Sequence, residues 1–120
     1  MGIKDDLLAL AKATRKLVPL KLDVGTVYVR ELSARQKDDF DEAQSVKLAK
    51  SANPKADRPE GYRAATVALC VCDAEGVELF DESEAGKIGE LPEVVLGKMY
   101  AACQRVNGVT KEQLDEALKN

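Results

Sequence analysis

The sequence predicts an α+β fold in which helices dominate: a small antiparallel sheet, made of a hairpin and a short third strand, packed by about five to six helices. Three observations carry that expectation. The stretch PLKLDVGTVYVREL alternates apolar and polar residues, which is the period of a strand. Several other stretches place apolar residues three and four apart, which is the period of a helix, and helix caps and proline or glycine stops bound most of them. No internal repeat or low-complexity tract divides the 120 residues, so the elements belong to one domain, residues 1–120.

In chain order, Ile3, Leu7, Leu10, Thr14 and Leu17 form a helical stripe over residues 1–18. Pro19 is expected to close this amphipathic helix, because a residue before proline avoids the helical region. The stripe either packs on the domain's own core or meets a partner. It is too short for an independent coiled coil. Leu20 and Leu22, then Val27 and Val29, make a hairpin that turns at Val24-Gly25. Ser33 with Gln36 forms a capping box and opens a helix to about Ser51. Its apolar line, Phe40, Ala43, Val46 and Ala49, is thin, so this helix is mostly solvated or faces a partner. Residues 51–61 hold two prolines, an asparagine and a glycine, and are expected to be a mobile loop.

Residues 64–72 are apolar except for Thr66, and either a buried helix or a buried strand fits them. Ala64, Ala65 and Ala68 favour helix, whereas Val67, Val71 and the cysteines favour strand. Asp73 to Gly76 turns the chain, and Val77 to Phe80 reads as the short third strand. Asp81 with Glu84 caps a short helix that buries Ala85, Ile88 and Leu91. Pro92 opens the next helix, which is expected to bury Val95, Met99, Ala102, Cys103 and Val106 before Asn107-Gly108 stops it. Thr110 with Gln113 caps a last short helix presenting Leu114, Ala117 and Leu118.

Composition argues against several functions. The net charge is −3 at pH 7, and lysines and arginines are spread rather than clustered, so a nucleic-acid surface has no electrostatic support. With three tyrosines, two phenylalanines and no tryptophan, base stacking has few platforms. No apolar run reaches the ~20 residues that cross a bilayer. There is no histidine, which removes the commonest general base and metal ligand together with Ser-His and Cys-His nucleophiles. Phosphate-cradling glycine motifs are absent, so no catalytic residue and no cofactor site is expected. A carboxylate hydrolase remains a distant third reading, because paired acids are common on any acidic surface.

The three cysteines, Cys70, Cys72 and Cys103, need separate treatment. Structural zinc wants four ligands, and only Asp73 lies near as a fourth. If residues 68–72 are helical, Cys70 and Cys72 point about 200° apart and cannot share a metal. If they form a strand, both thiols lie on one face. Buried thiols acting as small hydrophobes are the simplest reading, and no metal is expected. An odd cysteine count suits a reducing cytoplasm.

TVYVREL followed by SARQKDDF, then ALCVCDAEGVELF with its acidic-capped helix, then LPEVVLGKMYAACQRVNG, together resemble the tail assembly chaperones of long-tailed (lambda-like, non-contractile) bacteriophages. The resemblance covers residues 24–118. It implies a non-enzymatic protein of the host cytoplasm that coats the tape measure protein, keeps it soluble and helps recruit the major tail protein. It also implies a homo-oligomer and a longer form of the same chain made by ribosomal frameshifting. The ending Lys119-Asn120 suits an A-rich slippery run. No nucleic acid and no membrane enters this picture. A small adaptor of the phage neck, or a tail completion protein, is the alternative. Within the chaperone reading, Ile3, Leu7, Leu10 and Leu17 are the candidate protein-binding residues, because a chaperone must expose apolar surface to a helical client.

Overall fold

In the computed structural model, which describes residues 2–13 and 15–108, Val29 sits at the centre of a three-stranded antiparallel sheet and is fully buried. Strand β1 is Leu17–Leu22 and β2 is Gly25–Arg30; they form the expected hairpin, with Val18 opposite Val29 and Leu20 opposite Val27. Asp23 and Val24 make the turn, one residue earlier than expected, and Gly25 opens β2 with φ +147°. The third strand, β3, is Val71–Cys72; it pairs antiparallel with β2, setting Val71 opposite Val29 and Cys72 opposite Tyr28.

Two expectations fail here. The N-terminal helix, α1, spans only Ile3–Leu10, and Leu17 belongs to β1. Pro19 therefore does not close a helix. It lies inside β1 opposite Tyr28, where an edge strand tolerates the lost donor, and it holds Val18 extended. The third strand is likewise not Val77–Phe80, which contributes a single bridge from Glu78 to Cys72. The ladder comes from Val71 and Cys72 because a helix ends at Cys70 and the β-branched Val71 drops directly beneath Val29.

Helix α2, Ala34–Ala49, begins at the expected capping box: Ser33 Oγ accepts from Gln36 N at 3.1 Å, and Gln36 Oε1 accepts from Ser33 N at 2.9 Å. It buries no residue, as its thin apolar line implied. Residues 51–61 contain no helix or strand. Helix α3, Tyr62–Cys70, and β3 resolve the open choice at residues 64–72 in favour of both. Cys70 ends the helix and Cys72 sits in the strand, so the two thiols are not opposite faces of one helix.

Asp73 Oδ1 accepts from Glu75 N at 2.9 Å and Val77 N at 3.0 Å, and Gly76 takes φ +82°, so the DAEG stretch is a side-chain-braced turn. A short 3₁₀ turn at Glu82–Glu84 leads into helix α4, Ala85–Ile88. Helix α5, Glu93–Val106, follows Pro92 and buries Leu96, Met99, Ala102 and Cys103. Leu96 takes the buried place expected of Val95, because it falls on the same face as Met99 and Cys103. The expected last helix at residues 110–118 lies outside the described residues.

The core is one cluster joining β2, β3, α3, α4 and α5 around Val29, Val67, Val71, Ile88 and Met99. Asn107, just past α5, ties it together. Its Oδ1 accepts from Leu32 N at 2.8 Å, and its Nδ2 reaches the carbonyls of Cys103 (3.0 Å) and Arg30 (3.4 Å). Arg30 does similar work at the end of α3: Nε donates to the Leu69 carbonyl at 2.9 Å, and Nη2 pairs with Glu78 at 2.6 Å. Arg63 grips Glu93 through two bonds of 2.7 and 2.8 Å, locking the start of α3 to the start of α5.

Candidate functional site

Helix α1 is apolar on one face, yet none of its residues is buried. Ile3 is 73 % exposed, Leu7 59 % and Leu10 62 %. The reading in which this stripe packs on its own core is therefore set aside: no α1 residue joins the core cluster. Of the four candidate binding residues, the structure brings Ile3, Leu7 and Leu10 together on one flank and removes Leu17, whose half-buried side chain lies beside Gly76. Thr14, also read into the stripe, lies outside the described residues.

A second uncovered apolar surface was not legible as a site. Helices α2 and α3 approach one another through their side chains. Asn107 ties Leu32, before α2, to Cys103 and the end of β2, while Lys47 Nζ donates to the Glu60 carbonyl at 2.9 Å, just before α3. The helices meet through aromatic contacts, with Phe40 and Tyr62 ring centres 5.7 Å apart and Tyr62 edge-on to Tyr100 at 6.4 Å. Arg58 lies 4.6 Å over the Tyr62 ring and donates to the Tyr100 hydroxyl at 2.6 Å.

Between the two helices lies an open groove of about 570 Å³. Ala43, Ala65 and Ala68 line it together with the larger Phe40, Leu69 and Phe80. At the present separation of the helices, these alanine side chains leave the space between them unfilled. Gln44 Oε1, which lines the same groove, is buried without a hydrogen-bond partner. The sequence signal was the thin apolar line of α2, read as solvated or facing a partner; Phe40 and Ala43 of that line are in the groove lining, and Val46 and Ala49 are not.

The cysteines pack in the core as free, buried thiols. The neighbouring Cys70 thiol and burial push the Cys103 thiol well above its ordinary range, and Cys103 holds the Cys70 thiol below its own. Burial also raises Cys72. Neither is poised as a nucleophile, since reactivity needs the thiolate. Among the described residues no cluster of cysteines and acids is arranged to hold a metal ion, and no helix is long and apolar enough to cross a membrane.

What the geometry defines is a small α+β body with uncovered apolar surface on α1 and in the α2–α3 groove. A solved structure with this architecture is the bacteriophage HK97 tail assembly chaperone, superposing with a TM-score of 0.56 at 18 % identity over 85 % of this chain and 97 % of that one. The fold implied by the sequence resemblance is therefore the fold found. No protein-family model and no curated relative matches the chain.

Proposed function

We propose that this chain is a non-enzymatic tail assembly chaperone of a long-tailed phage. It binds the tape measure protein, keeps it soluble in the host cytoplasm and helps recruit the major tail protein. The observation that carries this reading is the architecture shared with the HK97 chaperone over nearly the whole of that protein. Uncovered apolar surface on α1 and in the α2–α3 groove supports it, since a long helical client needs apolar seats. The lack of histidine and the burial of all three thiols support a role without catalysis.

The test is co-expression with the very long helical protein encoded beside it in the phage gene cluster. The client is expected to move from the pellet to the soluble fraction and to co-purify with this chain. A client whose solubility does not change would end the chaperone reading. A longer frameshifted form of the chain also belongs to the proposal; a gene lacking both a slippery heptamer and an overlapping downstream frame would remove it.

A further inference from the structure

The α2–α3 groove has the size and chemistry of a seat for one large side chain. Its volume of about 570 Å³ falls in the range of pockets that enclose a small ligand, about 300–1,000 Å³. Phe40, Leu69 and Phe80 give it apolar walls, and the alanines leave the space between them open. An aliphatic or phenyl side chain would suit these walls but not Gln44. Its Oε1 is shut off from water, and no donor reaches it among the described residues. A buried acceptor left unpaired costs more than a hydrogen bond ordinarily contributes, so an occupant that brings an N–H gains by it. Charge adds a third feature. Asp39, exposed in the lining, makes no ion pair among the described residues, whereas Glu78 is taken up by Arg30.

We propose that the groove takes a tryptophan side chain of the client, presented beside a lysine or arginine. The indole ring packs against Phe40, Leu69 and Phe80, its N–H donates to Gln44 Oε1, and the neighbouring base meets Asp39. Indole is a donor with no acceptor of its own, so nothing on it is left unpaired when it is buried. It also removes a large apolar area, about 150–250 Å², through a single side chain. A tyrosine hydroxyl would bring lone pairs that the apolar walls cannot satisfy, and leucine, isoleucine and phenylalanine bring no donor. The exposed side chains of α1, Ile3, Leu7 and Leu10, fail for that last reason. This inference rests on the tail-assembly reading and adds to it the kind of residue by which the client is recognised.

The chain contains no tryptophan, so indole fluorescence reports the ligand alone. The probe is a short, otherwise neutral peptide with one tryptophan beside one lysine. Titrated with the unaltered chain, its emission is expected to move to the blue and saturate. A second peptide carries 1-methyltryptophan, which keeps the ring and loses the N–H, and is expected to bind at least tenfold more weakly. Gln44→Met removes the acceptor at similar length and should bind the two peptides alike. Ala43→Leu fills the groove from an exposed position and should abolish the shift, while Ala49→Leu, exposed on α2 outside the lining, should leave it unchanged. Asp39→Lys should weaken binding roughly threefold. Circular dichroism confirms that each variant is folded. The proposal is overturned by an emission that does not move, whether the groove stands empty or is filled by the chain's own helix. It is equally overturned by a shift that survives Ala43→Leu, or by a 1-methyltryptophan peptide that binds the unaltered chain as tightly as its parent. Co-expression with the whole client separates the two readings. A client held by the unaltered chain and equally by Ala43→Leu overturns this inference alone, whereas a client held by neither overturns the tail-assembly reading and this inference with it.

Discussion

Helix α3 has two flanks with different surroundings. On one flank Ala64, Val67 and Cys70 are buried against α5 and the sheet, where Met99, Cys103 and Val29 fill the space around them. On the other, Ala65 and Ala68 face α2 across an open groove. Alanines occur on both flanks, so hydrophobicity alone does not separate them. The difference lies in the facing element. Helix α5 offers bulky side chains at the right period, and α2 offers Phe40 with glutamines, acids and lysines around it. Packing therefore closes on the first flank and stops short on the second. The closed flank carries stability, and the open one leaves apolar surface uncovered.

Breaking the closed side should cost most. Ile88→Ala removes a fully buried side chain and should destabilise by about 2–5 kcal/mol, read from the urea midpoint at constant m-value. Asn107→Ala comes next. It strips the partner from Leu32 N and from two carbonyls, and should cost about 1–3 kcal/mol. Asn107→Asp, which keeps the acceptor but loses the donor, should retain part of that.

The thiols give the closed side a pH signature. Cys72 and Cys103 are held above their ordinary range by burial and, for Cys103, by the contact with Cys70. A raised acid contributes stability that is complete below the unfolded thiol value, about 8.5, and is lost as pH rises above it toward the folded value. Unfolding free energy should therefore fall as pH rises above the unfolded thiol value, since the gain with pH from Cys70, whose thiol Cys103 holds low, is already complete there, and the fall should be shallower in a Cys72→Ala chain. Cys103 should resist alkylation at pH 8 until the chain is unfolded.

The open side should show the reverse profile. Leu7→Lys with Leu10→Lys should change stability by no more than about 0.5 kcal/mol, because both side chains are exposed, while abolishing client binding. An unfolded double variant would place the stripe in the core after all. The smallest effect belongs to Glu93→Gln. The Arg63 guanidinium holds the exposed Glu93 carboxyl below its ordinary range. That contribution is present above the unfolded glutamate value and lost as pH falls through the lower folded one. Its loss should register only as a slightly gentler acid transition, one that salt erases.

Much of this molecule is written locally. The Ser33–Gln36 box, the alternation through Val27 and Val29, the Asp73–Gly76 turn and the stop at Asn107 each depend on a few neighbouring residues, and each is where the sequence places it. The same local logic reads Ile3, Leu7 and Leu10 as one flank of a helix, but it extends that helix too far. Val18 and Leu17 pair with β2, and no rule confined to the first nineteen residues contains that partner. For the same reason the third strand fell to Val71 and Cys72 rather than Val77 to Phe80: Val29 decides which valine lies under it. The α2–α3 groove is the extreme case. Alanine at 43, 65 and 68 reads as helix propensity along the chain, and becomes a gap only when two helices that are 13 residues apart in sequence are brought face to face. Short-range hydrogen bonding and periodicity are properties of the sequence itself, whereas which surfaces close and which stay open depends on the shape of a neighbour that only the tertiary fold supplies.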